Sequence, residues 1–259
     1  MPSHDFSGQR VLVTGASRGI GYAIAAAFAR AGAELTIFAE DEDVTGAAER
    51  IGATAGRRVT GVRCDITDRG QVDKAIDTID RLDVLINNAG FERITPLFSE
   101  DPETETTFRR VIEVNVIGTY LVTRAAVRRM GEGGRIVFTA SVWGKTAEGG
   151  FSAYCASKHA NVGFMRSVAR ELGPRGIAVN AVCPGWTKTE TSLRSLRDEA
   201  KTLGITEEAQ ARKMLAKQAF DGLMEPDDLT DAYLFLSSPK VARNITGQTL
   251  HVDRGEFMD

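Results

Sequence analysis

Short apolar runs alternate along this chain with longer stretches in which apolar residues recur every three or four positions, the periods of buried strands and amphipathic helices. Residues 10–13 form a first apolar run stopped by glycine, and 22–31 follow as an alanine-rich helix. The same reading predicts strands over 34–38, 58–64, 83–86, 134–139, 177–182 and 249–252. Between them it predicts helices over 45–51, 70–80, 105–129 and 153–172. Ile112, Val116, Tyr120 and Val127 mark the long third one, and Gly173-Pro174 stops the fourth. Strand and helix in alternation predict an α/β fold: a doubly wound parallel sheet with helices on both faces.

Residues 186–225 break this rhythm, carrying charges of both signs, among them Arg194, Arg197, Asp198, Glu199, Glu207 and Glu208. They separate the sixth strand from a helix starting near Pro226, so they are placed to cover the carboxyl ends of the strands, where open α/β sheets bind ligands. A helical lid and a solvated helical pair both fit this composition. With no repeat, low-complexity tract or linker, residues 1–259 read as one domain.

Hydrophobic residues at 42% and charged residues at 26% are ordinary for a globular chain. A net charge of -3 gives no reason to expect nucleic acid or an anionic membrane as partner. Cys64, Cys155 and Cys183 lack metal-ligand or disulfide-framework spacing, and His4, His159 and His251 show no ligand pattern, so no metal is expected. The first residues, Met1 to Gly8, are too polar for a signal peptide, and no apolar run is long enough to span a bilayer. A cytoplasmic location is the expectation.

Between the first strand and the first helix lies Thr14-Gly15-Ala16-Ser17-Arg18-Gly19-Ile20-Gly21. Glycines there permit a sharp turn (Gly15), backbone approach to a pyrophosphate (Gly19) and close packing of helix on strand (Gly21). The helix start then offers free N–H groups and its positive dipole end to phosphates. This spacing resembles the short-chain dehydrogenase/reductase superfamily. Further matches follow in that family's order: Asn87-Asn88-Ala89-Gly90, Asn115, Ser141, Tyr154-x-x-x-Lys158 and Pro184-Gly185. The resemblance spans residues 8–255 and implies a Rossmann-type single domain that transfers hydride between a nicotinamide cofactor and a secondary alcohol or ketone.

Tyr154 and Lys158 stand four residues apart on a predicted helix, on one face. A free tyrosine titrates near pH ~10, too high for a base at neutral pH. A neighbouring ammonium, with an oxidised nicotinamide, is expected to bring the phenol down. Ser141, thirteen residues before Tyr154, would then hold the substrate oxygen beside it. A satisfied buried amide is one reading of Asn115; the resemblance implies instead that it holds a water on a proton relay through Lys158. Lys158 would also reach the nicotinamide ribose.

The resemblance further implies cofactor contacts for Gly15, Ser17, Arg18, Gly19, Ile20 and Gly21. Asp65 and Ile66 would lie at the adenine. Asn88, Ala89 and Gly90 would line the ribose and diphosphate, and Pro184, Gly185, Thr187 and Thr189 the nicotinamide. Coenzyme choice turns on the end of the second strand, where NAD-preferring members usually carry an aspartate that bonds the ribose 2′-hydroxyl. Here Ala39 is followed by Glu40, Asp41, Glu42 and Asp43, a negative field that Arg18 opposes singly. NAD is expected, with Glu40 as the discriminating residue.

Phe91, Trp143 and Trp186 could wall an aromatic pocket or merely pack beneath the insertion. Arg254 stands where the family often has glycine, leaving the C-terminal contact open. The expected partner is a small secondary alcohol or ketone, and the resemblance implies a homotetramer built through the helices bearing Asn115 and Tyr154. Two alternatives remain at this point: an NADPH-dependent ketone reductase of 3-oxoacyl type, and a dinucleotide-binding sensor without catalysis.

Overall fold

A computed structural model describes residues 4–258, so Met1 to Ser3 of the polar leader lie outside the described residues. Seven parallel strands form one sheet in the order β3-β2-β1-β4-β5-β6-β7. They are β1 (Arg10–Thr14), β2 (Glu34–Ala39), β3 (Val59–Arg63), β4 (Leu82–Asn87), β5 (Met130–Thr139), β6 (Ala178–Pro184) and β7 (Thr249–Val252).

Alternate residues of the central strands feed two cores. Val11, Val13, Val84, Ile86, Val137 and Val182 face helices α1 (Gly19–Arg30), α2 (Val44–Ala55) and α9 (Thr230–Ser237). Leu12, Leu85, Ile136, Phe138, Val179 and Ala181 face α3 (Arg69–Asp77), α5 (Thr119–Ala126) and α6 (Ser152–Leu172). Burial on both faces is why these strands read as unbroken apolar runs. Strand order reverses between β1 and β4, and the crevice at a parallel sheet's carboxyl edge opens at such a point.

The long helix expected over 105–129 is helical throughout but not uniform. It runs as α4 (Glu103–Ile112), a π-helical turn (Glu113–Gly118), α5 and a 3-10 turn (Val127–Arg129). A π turn fits one extra residue into the helix and is common at functional sites. Here it carries Asn115 to complete burial and brings Gly118 against Ile66, where an added Cβ would lie 2.7 Å from that side chain.

Strand β5 also begins earlier than residue 134. Met130 pairs with Leu82, then the register shifts before Arg135 pairs with Val84. The irregularity takes up the glycine-rich Gly131–Gly134 stretch, which hid the strand start from a hydropathy reading.

The insertion folds as two helices, α7 (Glu190–Leu203) and α8 (Glu207–Leu215). An isolated parallel bridge between Thr187 and Met224 closes its neck, with Lys188 N–H donating to Met224 O (2.8 Å) and Met224 N–H to Trp186 O (3.2 Å). No helix among the described residues is long and apolar enough to cross a membrane.

Candidate active site

A cleft of about 390 Å³ runs along the carboxyl edge of the sheet, from Glu40 and Asp41 past the glycine loop to Ser141, Tyr154, Lys158 and Trp186. Apart from Asn115, every residue with an expected contact lines it: Gly15, Ser17, Arg18, Gly19, Ile20, Gly21, Glu40, Asp65, Ile66, Asn88, Ala89, Gly90, Pro184, Gly185, Thr187 and Thr189 among them. Asn115 sits directly behind the wall.

The glycine loop is built by close contacts. Gly15 has φ +64°, and a Cβ there would lie 2.7 Å from Ala89 Cα; one on Gly21 would lie 2.2 Å from Gly15 O. Asn88 stitches the loop to the sheet, its amide donating to Thr14 O (3.0 Å) and Gly15 O (3.1 Å) while Thr139 donates to its Oδ1 (3.2 Å). Helix α1 starts with no side-chain cap, which leaves its first N–H groups to an anion in the cleft.

At the end of β2 the arrangement differs from the expectation. Glu40 turns outward to Arg110 (3.5 Å), which lies 3.7 Å from Asp65 as well. Asp41 takes the inner position: its Oδ2 accepts from Ser17 Oγ (2.6 Å) and from Arg18 (3.1 Å). Its Oδ1 is buried without a partner. An orphaned buried carboxylate oxygen is costly unless a ligand donates to it. The free helix start and this oxygen both fit a dinucleotide with a ribose hydroxyl. The sequence had singled out Glu40; Asp41 was visible only as one of four consecutive acids.

The reacting end is assembled by β5, the π turn and α6. Ser141 follows β5, its hydroxyl accepting from Trp143 N–H (3.1 Å), and it lines the cleft together with Tyr154, close enough to act on the phenol. Lys158, one turn along α6, is buried and donates to Thr139 O (2.8 Å). Asn115 Oδ1 accepts from Phe91 N–H (2.7 Å), and its amide donates to Phe91 O (3.0 Å) and Ser157 Oγ (2.9 Å). Its side chain is thus a satisfied buried amide that clamps the β4–α4 loop to α6. Thr189 caps α7 and meets Ser192, whose hydroxyl donates to Thr187 O (2.6 Å). Trp143 packs edge-on to both Tyr154 (5.9 Å) and Trp186 (6.3 Å), so the aromatic wall exists.

Glu92 lines the same cavity, and the sequence reading missed it because a lone glutamate in a loop carries no pattern. Its Oε1 accepts from Ser195 Oγ of α7 (2.5 Å), and its backbone oxygen accepts from Arg93 (2.8 Å) and Arg194 (3.3 Å).

The electrostatics correct one expectation. The Lys158 ammonium stands over the face of the Tyr154 ring, 5.3 Å from its centroid, with one of its three donors committed to Thr139 O. Burial pushes the phenol up, Glu92 adds to this, and the neighbouring Ser141 hydroxyl draws it down only in part. The ammonium alone therefore does not make the phenol acidic. Burial also draws Lys158 down from 10.5 to about 8, with Glu92 holding it up.

That shift has a stability consequence. Below about pH 8 folded and unfolded chains both carry the charge, and folding bears the full burial cost, roughly 3 kcal/mol. Between pH 8 and 10.5 the folded form is neutral while the unfolded form still binds a proton, so stability rises with pH. Lys158→Met removes the ammonium at every pH. Its stability relative to wild type, measured by denaturant unfolding, is expected to fall by roughly 2 kcal/mol from pH 7 to pH 10. A pH-independent difference would refute the burial argument.

Comparison with known proteins agrees with this geometry. The family model described as Enoyl-(Acyl carrier protein) reductase matches residues 15–256. The chain is 36% identical to a 3-oxoacyl-[acyl-carrier-protein] reductase of Rickettsia bellii, covering 98% of this chain and 99% of the relative. Among solved structures it is similar to a short-chain dehydrogenase from Burkholderia cenocepacia in complex with NADP (TM-score 0.85, 36% identity, 97% and 98% of the two chains). It is also similar to an NAD+-bound xylitol dehydrogenase (TM-score 0.89, 27% identity, 96% and 99%). Motifs, sheet order and relatives converge: the chain belongs to the short-chain dehydrogenase/reductase superfamily of NAD(P)-dependent oxidoreductases.

Proposed function

We propose that this oxidoreductase interconverts a secondary alcohol and its ketone with NAD, Tyr154 exchanging the hydroxyl proton while Ser141 and Lys158 position the reactants. The observation that carries the reading is the gathering of Ser141, Tyr154, the buried Lys158 and the glycine loop in one cleft. When bound, the nicotinamide cofactor supplies or accepts the hydride and contributes the positive charge that the phenol lacks here. The glycine loop and uncapped α1 would hold its diphosphate, Asp65, Ile66, Asn88, Ala89 and Gly90 its adenosine side. Pro184, Gly185, Thr187 and Thr189 would lie at its nicotinamide. Lys158 would face the nicotinamide ribose, next to Gly90, where an added Cβ would lie 3.6 Å from Nζ. Asn115 would serve a proton relay through Lys158 by fixing Ser157 and Phe91, with Oδ1 3.4 Å from that same Gly90 Cβ position.

Substrate oxygen held by Ser141 and Tyr154 would share its proton with the phenol as the hydride moves, a positioning and acid/base contribution worth about 10²- to 10⁴-fold. Residues 186–225 would act as a lid, drawn onto the cleft by Ser195 on Glu92 and by the Lys217–Glu148 ion pair. The relatives' names favour a second reading, an NADPH-dependent reductase of 3-oxoacyl type. A sensor without chemistry is disfavoured because Ser141, Tyr154 and Lys158 are all placed together.

Three outcomes are expected. Tyr154→Phe should bind coenzyme with unchanged affinity by fluorescence titration, yet lose about 10²- to 10⁴-fold in kcat; unchanged turnover would remove it from the chemistry. Asp41 should select NAD, because its free oxygen suits a ribose hydroxyl and its charge repels a 2′-phosphate. Wild type is therefore expected to prefer NAD in kcat/KM, and Asp41→Ala to lower the NAD/NADP ratio about tenfold or more, the worth of a hydrogen bond to a charged group. A wild-type preference for NADP would favour the second reading instead. Finally, we propose a homotetramer joined through α4–α5 and α6, where Phe108, Ile117 and Tyr120 are exposed. Light scattering should give about four chain masses, and a monomer would exclude it.

A further inference from the structure

Glu92 is a carboxylate in the wall of the reacting pocket for which the proton exchange has no use. It lies two residues beyond Gly90 and lines the cavity with Phe91, Trp143, Tyr154, Lys158 and Trp186. Ser195 holds its Oε1, and no other side chain among the described residues donates to the carboxylate. The other oxygen has no such partner, and the residue lines the space that a substrate must enter.

We propose that Glu92 is a specificity-determining residue whose free oxygen accepts a hydrogen bond from a second hydroxyl of the substrate, so that the preferred substrates are vicinal diols and the matching α-hydroxy ketones. This rests on the secondary-alcohol reading above and narrows it.

Three physical arguments select this substrate class. A purely aliphatic group against Glu92 would bury a carboxylate without a partner, which is unfavourable by several kcal/mol in apolar surroundings. A cationic group would meet Arg194, Lys158 and Arg93, all close enough to act on the Glu92 carboxyl, so three positive charges already answer one negative one. A neutral hydroxyl satisfies the free oxygen without adding charge. The tie to Ser195 fixes the carboxylate's orientation, and the edge-on Trp143 and Trp186 rings offer an apolar surface for the carbon skeleton. Burial pushes the Glu92 carboxyl up, against the Ser195 hydrogen bond and the neighbouring cations; a bound hydroxyl donor would further stabilise the anion.

The distance to the chemistry sets where the second hydroxyl must be. Glu92 lines one pocket with Tyr154 and Lys158, and the Cβ position of Gly90, two residues before it, lies 3.6 Å from Lys158 Nζ, so the loop that carries Glu92 runs beside the reacting pair. An adjacent carbon is the natural position.

The test compares matched pairs with NAD: butane-2,3-diol against butan-2-ol, and cyclohexane-1,2-diol against cyclohexanol. In wild type the diol should exceed the simple alcohol at least tenfold in kcat/KM for one or both pairs, mostly through KM, as expected for a hydrogen bond to a charged acceptor. Glu92→Leu should bring that ratio to about one, and Glu92→Gln, which keeps shape and an acceptor oxygen, should lie between. Coenzyme titration and thermal melting of each variant establish that it is folded. A wild-type ratio near one, or an unchanged ratio in folded Glu92→Leu, would overturn the role of Glu92 while leaving the alcohol reading intact. Absence of turnover with every alcohol and with butan-2-one would overturn both.

Discussion

An ammonium has to be kept inside this protein, and much of the cleft can be understood from how the fold bears that charge. Lys158 is almost wholly buried and holds Thr139 O, the carbonyl at the end of β5. To reach it, α6 must lie close to the segment after that strand. Gly144 makes this possible, since a Cβ there would lie 2.9 Å from Lys158 O. Ser157, the residue before Lys158, is tied to Asn115, and Asn115 to Phe91. One charge thus recruits strand, π turn, loop and helix into a single rigid corner. Its preorganisation is what a hydride-transfer site requires, because the reacting atoms must be held before the chemistry begins.

The burial that fixes Lys158 also raises the phenol beside it, so the resting site holds its proton tightly. On the proposed function, the positive charge of an oxidised coenzyme would bring the phenol down again and so tie proton transfer to coenzyme binding. Two carboxylates then frame the cleft in similar ways: Ser17 holds one oxygen of Asp41, and Ser195 one oxygen of Glu92. In each pair a serine orients an acceptor whose second oxygen is left for another donor. On the readings proposed above, that donor would be a ribose hydroxyl at one end and a substrate hydroxyl at the other.

Much of this was legible in the sequence, for identifiable reasons. Strands buried on both faces leave continuous apolar runs, and glycines forced by contacts under 3 Å (Gly15, Gly21) or by a positive φ (Gly19) leave a fixed spacing, so the fold and the glycine loop could be read directly. Tyr154 and Lys158 share a helix face, which spacing alone reveals. What escaped depends on side chains meeting across the fold. Glu40 and Asp41 are adjacent acids, and only the direction of the chain after β2 decides which faces Ser17. The π turn has no hydropathy signature, since Ile112, Val116 and Tyr120 still recur at helical intervals. Glu92 and Ser195 are 103 residues apart, and nothing local in either one announces the other.

Arg254 shows how a departure from the family pattern can be absorbed. It adopts φ +56°, a conformation glycine takes freely and arginine at some cost. Its guanidinium donates to Asp221 O (2.6 Å), and its own carbonyl accepts from Ala219 (2.8 Å) and Phe220 (3.1 Å). All three lie just after α8, so the strained residue anchors the returning arm of the insertion to the C-terminal segment. The outgoing arm is held by Ser195 and Arg194 on Glu92, in the wall of the cavity. The two ends of the insertion are therefore restrained by different means: one by backbone hydrogen bonds and the Arg254 guanidinium, the other by Ser195 and Arg194 on Glu92 next to the substrate space. On the lid reading proposed above, the residues that hold α7 over the cleft would be the same ones that orient Glu92, so closing the cleft and aiming the carboxylate at a substrate hydroxyl would be one event.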